Sequence, residues 1–200
     1  MRGMLIDTKE SVTGARAGVV PRKVPGEPGL WIIILAELII FGVYFGCVTY
    51  YRLEYPEVFR AAKDSMSLAV GTGHTVVLLT GSLFVVLGVH ASQRKATPQV
   101  ARWFRYAAAT GVVFFVVKVL EYGTKIADGT VPTTSIFFEL YFILTMLHLC
   151  HVIAATIFLL IIGFGPESVR LRPNFIEGVG VYWHFVDAVW MFLFALFYLA

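Results

Sequence analysis

The stretch "VYWHFVDAVWMFLF", residues 181–194, decides the fold, because it combines a long apolar run with His184 and Asp187 three residues apart. A helix that crosses a membrane needs about 20 predominantly apolar residues, and the run continues over residues 177–200. Ionised side chains are costly to place in hydrocarbon, so polar groups within such a run are expected to face protein. The stretch therefore predicts a transmembrane helix with one polar face.

Four upstream segments have a similar length and apolar character. Hydrophobic residues make up 58% of the 200-residue chain and charged residues only 14%, whereas soluble domains carry about 25% charge. The connecting segments are short and contain Gly, Pro and charged residues, which is typical of loops outside the hydrocarbon. The sequence predicts an all-α integral membrane bundle of five transmembrane helices over residues 29–200, after a flexible cytoplasmic tail at residues 1–28. The predicted spans are at about 29–51, 69–92, 103–125, 137–163 and 177–200.

The distribution of lysine and arginine predicts the orientation of the bundle. Cytoplasmic loops carry an excess of these residues. If the N-terminus is cytoplasmic, 11 of them lie on the inner side and 4 on the outer side, so we predict the N-terminus inside and the C-terminus outside. The inner set is Arg2, Lys9, Arg16, Arg22, Lys23, Arg94, Lys95, Arg102, Arg105, Arg170 and Arg172, and the outer set is Arg52, Arg60, Lys63 and Lys125.

The polar residues of the last span share one helix face. Glu177, His184 and Asp187 recur, together with Gly180 and Met191, at intervals of three or four residues, which places them on one side of a helix. A polar stripe of this kind is expected to face the interior of a bundle. From there His184 and Asp187 can bond each other or reach a neighbouring helix.

Depth in the membrane predicts that polar residues from three spans meet. At 1.5 Å per residue, Glu37 of the first span lies roughly 12 Å from the inner end, and His184 and Asp187 lie roughly 11 and 15 Å from it. His151 of the fourth span lies at roughly 18 Å by the same rule. We therefore predict one buried polar cluster of these side chains on the cytoplasmic side of the midplane. Two histidines of the second span are expected to lie outside it: His74 and His90.

The residues alone leave three interpretations of this cluster open. A haem held between two imidazoles would need His151 and His184 to face each other, but no "CxxCH" motif accompanies them. Intramembrane carboxylates and imidazoles are also candidates for a proton or ion pathway. The most favoured interpretation is structural, with polar groups joining helices, lipid headgroups or a partner subunit. No nucleophile with a partnered base and no cofactor motif occurs, so no catalytic centre in this chain is predicted.

Five motifs occur in order along residues 29–200. They are "LWIIILAELIIF" (30–41), "KVLEYGTKIADG" (118–129), "TMLHLCHVIAATIFL" (145–159), "IEGVGVYWHF" (176–185) and "YWHFVDAVWMFLFALFYLA" (182–200). Together they resemble the motifs of subunit III of the haem-copper (cytochrome c) oxidases. The third motif keeps both histidines of the family pattern "TGxHxxHVxxG" but has Met146 and Cys150 around them. Larger members have seven helices, and this chain matches only the last five, as in five-helix bacterial members and a branch associated with nitric oxide reductase.

The resemblance implies a non-catalytic accessory subunit in a bacterial inner (cytoplasmic) membrane. Such a chain binds no haem or copper, which belong to the catalytic partner subunit, and it holds phospholipid and supports proton uptake and stability of the complex. It has no nucleic-acid partner. The resemblance also implies that the buried carboxyl of the family, which reacts with hydrophobic carbodiimides, is Glu37 here. The predicted lipid or partner contacts are Glu37, His148, His151, Glu177, His184 and Asp187, with Glu121, Tyr122, Trp183 and Trp190 as secondary positions.

A second class of function stays open beside this one. An independent membrane transporter or proton channel would use the buried Glu37 with the nearby His and Asp side chains. For Trp183 and Trp190, packing or anchoring at the membrane interface is expected, with no part in chemistry.

Overall fold

The fold is described from a computed structural model of the chain, in which residues 28–199 are defined. The predicted cytoplasmic tail lies outside the described residues, except for Pro28, which begins the first helix. No strand occurs between residues 28 and 199. The helices are α1 (Pro28–Glu54), α2 (Pro56–Lys63), α3 (Leu68–Gln93), α4 (Thr97–Ala127), α5 (Ile136–Phe164), α6 (Glu167–Arg170) and α7 (Pro173–Phe194), with a 3₁₀ turn at Pro132–Thr134 and a π-helical turn at Ala195–Leu199.

Five of these helices confirm the five predicted spans. α1, α3, α4, α5 and the α7 segment to Leu199 are long and apolar enough to cross a membrane. Local signals explain where they begin and end. Proline occupies the first turn of α4 and α7, where its missing N–H costs nothing. Ser67 and Ser135 cap α3 and α5 by accepting a backbone N–H, which satisfies one of the free donors of the first turn.

The short helices α2 and α6 lie in segments that the sequence predicted as loops. α2 connects α1 to α3 and buries Phe59 and Ala62 on one side while Glu57 and Arg60 stay exposed. α4 also begins earlier than predicted, at Thr97 rather than 103. Its Arg105 is accommodated inside the helix because the guanidinium Nε donates to the carbonyl oxygen of Gly163 (2.8 Å).

The core is formed by α3, α4, α5 and α7. Large side chains from each of these elements are fully buried, among them Phe104, Phe114, Tyr141 and Trp190. Small residues let the backbones approach each other, as is usual between membrane helices. At Gly81 of α3, a Cβ atom would lie 2.8 Å from Trp183 of α7, so this crossing requires glycine.

α1 lies at the edge of this four-helix core and packs on α5 and α7. It buries Ile34, Phe41 and Val48, each seven residues from the next, while most of its remaining surface is open, with Ile32 70% exposed and Ile39 67% exposed. The glycines of its GxxxG pattern, Gly42 and Gly46, approach no other described residue. Membrane-length helices with such apolar surfaces are suited to lipid or to another membrane protein.

Candidate functional site

The first polar contact joins α1 to α5. Nε2 of His151 lies 3.0 Å from Oε1 of Glu37, and both side chains are largely buried. The other ring nitrogen, Nδ1, lies 2.7 Å from the carbonyl oxygen of Leu147. A carbonyl can only accept, so we assign the proton on Nδ1 to this bond. If one further proton is present on Nε2 or on the carboxyl of Glu37, the contacting pair has no net charge in either case.

The second polar contact is centred on Ser82 of α3 and joins it to α7. The Ser82 hydroxyl donates to Oδ2 of Asp187 (2.7 Å) and accepts from Nε1 of Trp183 (3.1 Å). Nδ1 of His184 lies 3.2 Å from the same oxygen. The hydroxyl has one proton and two lone pairs. Because the proton is donated to Asp187, one lone pair accepts from Trp183 and the other accepts from Nδ1 of His184. All bonding capacity of Ser82 is then used, and Asp187 is held in a buried position.

The polar contacts divide the residues of the predicted cluster into two groups. Glu37 and His151 form one contact and Asp187 and His184 another, and no hydrogen bond or ion pair between described residues joins the two. His184 and Asp187 reach a neighbouring helix through Ser82 instead of pairing with each other. His151 and His184 thus have different partners, which does not favour a haem between them.

Two other predicted residues lie outside both contacts. Glu177 accepts a long hydrogen bond from Nε2 of Gln93 (3.4 Å), where the first turns of α7 meet the last turn of α3. His148 is buried in the core, where its ring packs on Phe114 and Trp190 without a polar partner among the described residues. Their predicted role as lipid or partner contacts therefore stays a prediction.

The most extensive polar network is the Lys118 cluster, which we define as Lys118, Glu121, Tyr141 and Tyr198. The Lys118 ammonium donates to Oε2 of Glu121 (3.0 Å) and to the hydroxyl oxygens of Tyr141 (2.9 Å) and Tyr198 (3.3 Å). Both tyrosines in turn donate to Oε1 of Glu121 (2.7 and 2.8 Å). The three ammonium protons are thereby satisfied, and the charges of Lys118 and Glu121 cancel.

Aromatic rings enclose the Lys118 ammonium, which is why a cation is tolerated at 1% exposure. Its nitrogen lies 4.9 Å from the ring centre of Tyr141 and 5.3 Å from that of Trp190. A cation over an aromatic face is attracted by the ring quadrupole, and more strongly so away from water. Tyr198 reaches this position from the π-helical turn that ends the last span.

The secondary positions Tyr122 and the two tryptophans lie inside the bundle. Tyr122 donates to the hydroxyl of Thr145 (2.8 Å), and Nε1 of Trp190 donates to the hydroxyl of Thr75 (3.0 Å). Trp183 and Trp190 are 1% and 0% exposed. Of the two expected roles, packing or interfacial anchoring, this burial agrees with packing for both side chains.

Sequence reasoning missed three polar positions of these networks: Ser82, Tyr141 and Tyr198. Serine and tyrosine are common in membrane helices, so nothing in the sequence marks these among the others. The spacing of Lys118 and Glu121 on one helix face was a visible signal, but the tyrosines that complete the network come from α5 and from the last turn of the chain. They can be identified only when the rotation of each helix about its own axis is known.

Five membrane-length helices with polar contacts between them define a polytopic α-helical membrane protein. A family profile described as "Cytochrome c oxidase subunit III" matches residues 27–200. The chain therefore belongs to the cytochrome c oxidase subunit III family. It is an accessory subunit of a cytochrome c or quinol oxidase.

Relatives named as oxidase subunits agree with this assignment. The chain is 29% identical to cytochrome c oxidase subunit 3 of Alkalihalophilus pseudofirmus over 176 residues, 86% of this chain and 84% of that one. It is 30% identical to cytochrome c oxidase subunit 3 of Corynebacterium diphtheriae over 127 residues, which is 62% of each chain. It is 24% identical to a probable quinol oxidase subunit 3 of Staphylococcus aureus over 86% of this chain and 87% of that one. As a family member, the chain partners a catalytic oxidase subunit.

Proposed function

We propose that the chain is a non-catalytic accessory subunit of a bacterial respiratory haem-copper oxidoreductase in the inner membrane. It packs against the haem-bearing catalytic subunit and supports proton uptake and stability of the complex during aerobic or nitric oxide respiration. The observation that carries this proposal is that the membrane-buried charges are engaged inside the bundle. Glu37 contacts His151, Oδ2 of Asp187 accepts from Ser82, and Lys118 pairs with Glu121. Groups committed in this way suit a structural subunit, because a catalytic site needs reactive groups open to substrate.

We propose that a phospholipid is held along α1. A groove of about 490 Å³ lies between α1, α5 and α7 and is lined mainly by apolar side chains, including Ile33, Phe158, Phe175 and Tyr182. An acyl chain suits an apolar groove that opens at the surface of a membrane helix bundle. This groove begins at Gly29, close to the start of α1 and of α7, which is the cytoplasmic end in the proposed N-inside orientation.

Purification of the native complex tests the proposed partner. We expect the chain to copurify with a large subunit that carries haem, and the chain isolated on its own to lack a Soret absorption band. A stoichiometric Soret band in the isolated chain would instead identify a membrane cytochrome.

Two activities distinguish the oxidase type from the nitric oxide reductase type. The purified complex should consume oxygen with cytochrome c or quinol as donor if it is an oxidase, which is the type that the relatives' names favour. Reduction of nitric oxide without oxygen consumption would assign it to the other type. A complex prepared without this chain should pump fewer protons and lose activity sooner during turnover, and unchanged proton pumping and lifetime would contradict the proposed accessory role.

An independent proton channel is the second candidate. It is favoured by the Glu37–His151 pair, because a proton shared by a carboxyl and an imidazole within a membrane is typical of proton pathways. Liposomes containing only the purified chain test it. Proton flux that Glu37→Gln abolishes would support a channel, whereas liposomes no more permeable than protein-free controls would exclude one.

A further inference from the structure

Two histidines in the centre of the bundle have no hydrogen-bond partner among the described residues. His74 of α3 and His148 of α5 are 2% and 1% exposed. No described group comes within hydrogen-bond geometry of either ring, although the His74 ring approaches the carbonyl oxygen of Val70, one turn earlier on α3. A neutral imidazole carries one N–H donor and one acceptor nitrogen. Buried polar side chains in native proteins nearly always have a partner, which is either protein or ordered water.

Both imidazoles line the same region of the core. The His74 ring centre lies 4.9 Å from that of Phe114 and 5.4 Å from that of Trp190. The corresponding distances for His148 are 5.8 and 5.5 Å. Both imidazoles therefore border the same pair of rings, Phe114 and Trp190, whose centres lie 5.0 Å apart.

The Lys118 cluster faces the same region through Glu121. Nδ1 of His74 lies 3.9 Å from Oε2 of Glu121, which is beyond hydrogen-bond distance. Oε1 of Glu121 accepts from Tyr141 and Tyr198, whereas Oε2 accepts only from Lys118. Oε2 therefore keeps acceptor capacity beside His74. Polar groups separated by more than a direct bond are often connected through water.

We propose that the bundle holds internal water at a site framed by His74, His148 and Glu121. Water suits this set because it donates and accepts, and the three side chains together need both. A metal ion suits it poorly, since residues 28–199 include no group of three His, Cys, Asp or Glu side chains that could hold one. The competing arrangement has the imidazole N–H groups directed at the faces of Phe114 and Trp190, which is a weaker interaction.

This water site joins two parts of the molecule that otherwise lack a polar connection. The Lys118 cluster lies toward the end of the bundle where α4 ends. His148 lies deeper in the bundle. Along α5 it comes between Tyr141 of the cluster and His151, and it is nearer to His151. Water between them extends one hydrogen-bonded network from Lys118 into the centre of the core. The site rests on its own side chains and does not depend on the identity of the catalytic partner.

Oxidation of buried phenylalanines by X-ray radiolysis tests the proposal in the full chain. Hydroxyl radicals formed from an internal water molecule oxidise the side chains next to it, even where bulk solvent has no access. Phe114 and Phe104 are matched reporters, at 1% and 0% exposure, and only Phe114 contacts the two imidazoles. We expect Phe114 to be oxidised several-fold faster than Phe104, with ¹⁸O incorporated from labelled water. Equal rates in the parent chain would overturn the proposal and leave the N–H to ring arrangement.

Two double variants show whether the histidines hold the water. His74→Leu with His148→Leu removes the polar groups and should lower the oxidation rate of Phe114 to that of Phe104. His74→Gln with His148→Gln keeps a donor and an acceptor at each position and should preserve the fast rate. Fast labelling that persists in the leucine variant would contradict the assignment to these side chains. A stoichiometric metal ion whose removal by a chelator abolishes the fast labelling would also overturn it, and the parent measurement decides the matter if a variant fails to fold.

Discussion

Glu37 and His151 form a polar contact between α1 and α5 through Nε2 of the imidazole, because Nδ1 of His151 is committed to the carbonyl oxygen of Leu147. Glu37→Gln replaces the carboxyl with an amide that can still donate to Nε2, so we expect a small loss of stability, under about 1 kcal/mol. Glu37→Leu leaves Nε2 buried without a partner and should cost about 1–3 kcal/mol. The free energy of unfolding of both variants in detergent micelles checks this prediction. Equal losses in the two variants would show that the polar contact contributes nothing.

The Lys118–Glu121 pair allows a sharper measurement at the same scale. Lys118→Met leaves the Glu121 carboxylate without its counter-ion in the core, and breaking a buried pair in this way costs about 3–5 kcal/mol. Lys118→Met combined with Glu121→Leu removes both charges and should recover most of that loss. Unfolding followed by tryptophan fluorescence in micelles would give both values.

An exposed ion pair on α2 is the matched control for this measurement. Nη1 of Arg60 lies 2.6 Å from Oε1 of Glu57, but the two side chains are 74% and 82% exposed. Arg60→Met should change stability by less than about 1 kcal/mol, since exposed pairs are solvated in both states. A Lys118→Met effect as small as that of Arg60→Met would mean that the aromatic cage and the two tyrosines do not depend on the cation.

At the scale of helices, the crossing of α3 and α7 depends on glycines, of which Gly81 is one. A methyl group at Gly81 would lie 2.8 Å from Trp183 and would also collide with the Thr110 hydroxyl. Gly81→Ala should therefore destabilise the bundle by about 1–3 kcal/mol, as overpacking does in other cores. Thermal unfolding in micelles measures the effect.

Gly42 of α1 provides the comparison. A methyl group there meets no described atom, and alanine favours a helix over glycine by up to about 1 kcal/mol. Gly42→Ala should leave the isolated chain as stable as the parent or slightly more so. A loss as large as that of Gly81→Ala would contradict the edge position of α1.

The long helices could be predicted from the sequence, whereas the short ones could not. Each membrane span is specified by a long apolar run, so α3 and α5 begin and end within a residue of their predicted limits. α2 and α6 are four to eight residues long, too short for a periodicity to emerge, and they contain the charge and proline that mark loops. α4 was predicted too short because Pro98 and Arg102, which lie in its first turns, carry the proline and charge that are typical of a loop.

At the scale of the whole molecule, the polar residues were predictable one by one but their partners were not. An ionisable group within an apolar run is conspicuous, which is why Glu37, His151 and Asp187 were identified. Counting residues along each helix predicts which polar groups lie at the same depth in the membrane. Which of these groups touch depends on the rotation of each helix about its axis and on which helices are neighbours. That is why the residues of the predicted cluster lie in two separate contacts, and why only Glu121 of the Lys118 cluster was among the predicted positions.

The edge position of α1 has a mechanical consequence. This helix is held to the core by the buried side chains Ile34, Phe41 and Val48, by partly buried rings such as Phe45, which packs on Phe192 of α7, and by the polar contact between Glu37 and His151. If single molecules are pulled from a bilayer by their N-terminal end, α1 should detach first and at low force, and the four-helix core should resist as one unit. Glu37→Leu should lower the first rupture force and leave the later ones unchanged. α1 would then detach as a separate unit, at a force to which the polar contact between Glu37 and His151 contributes.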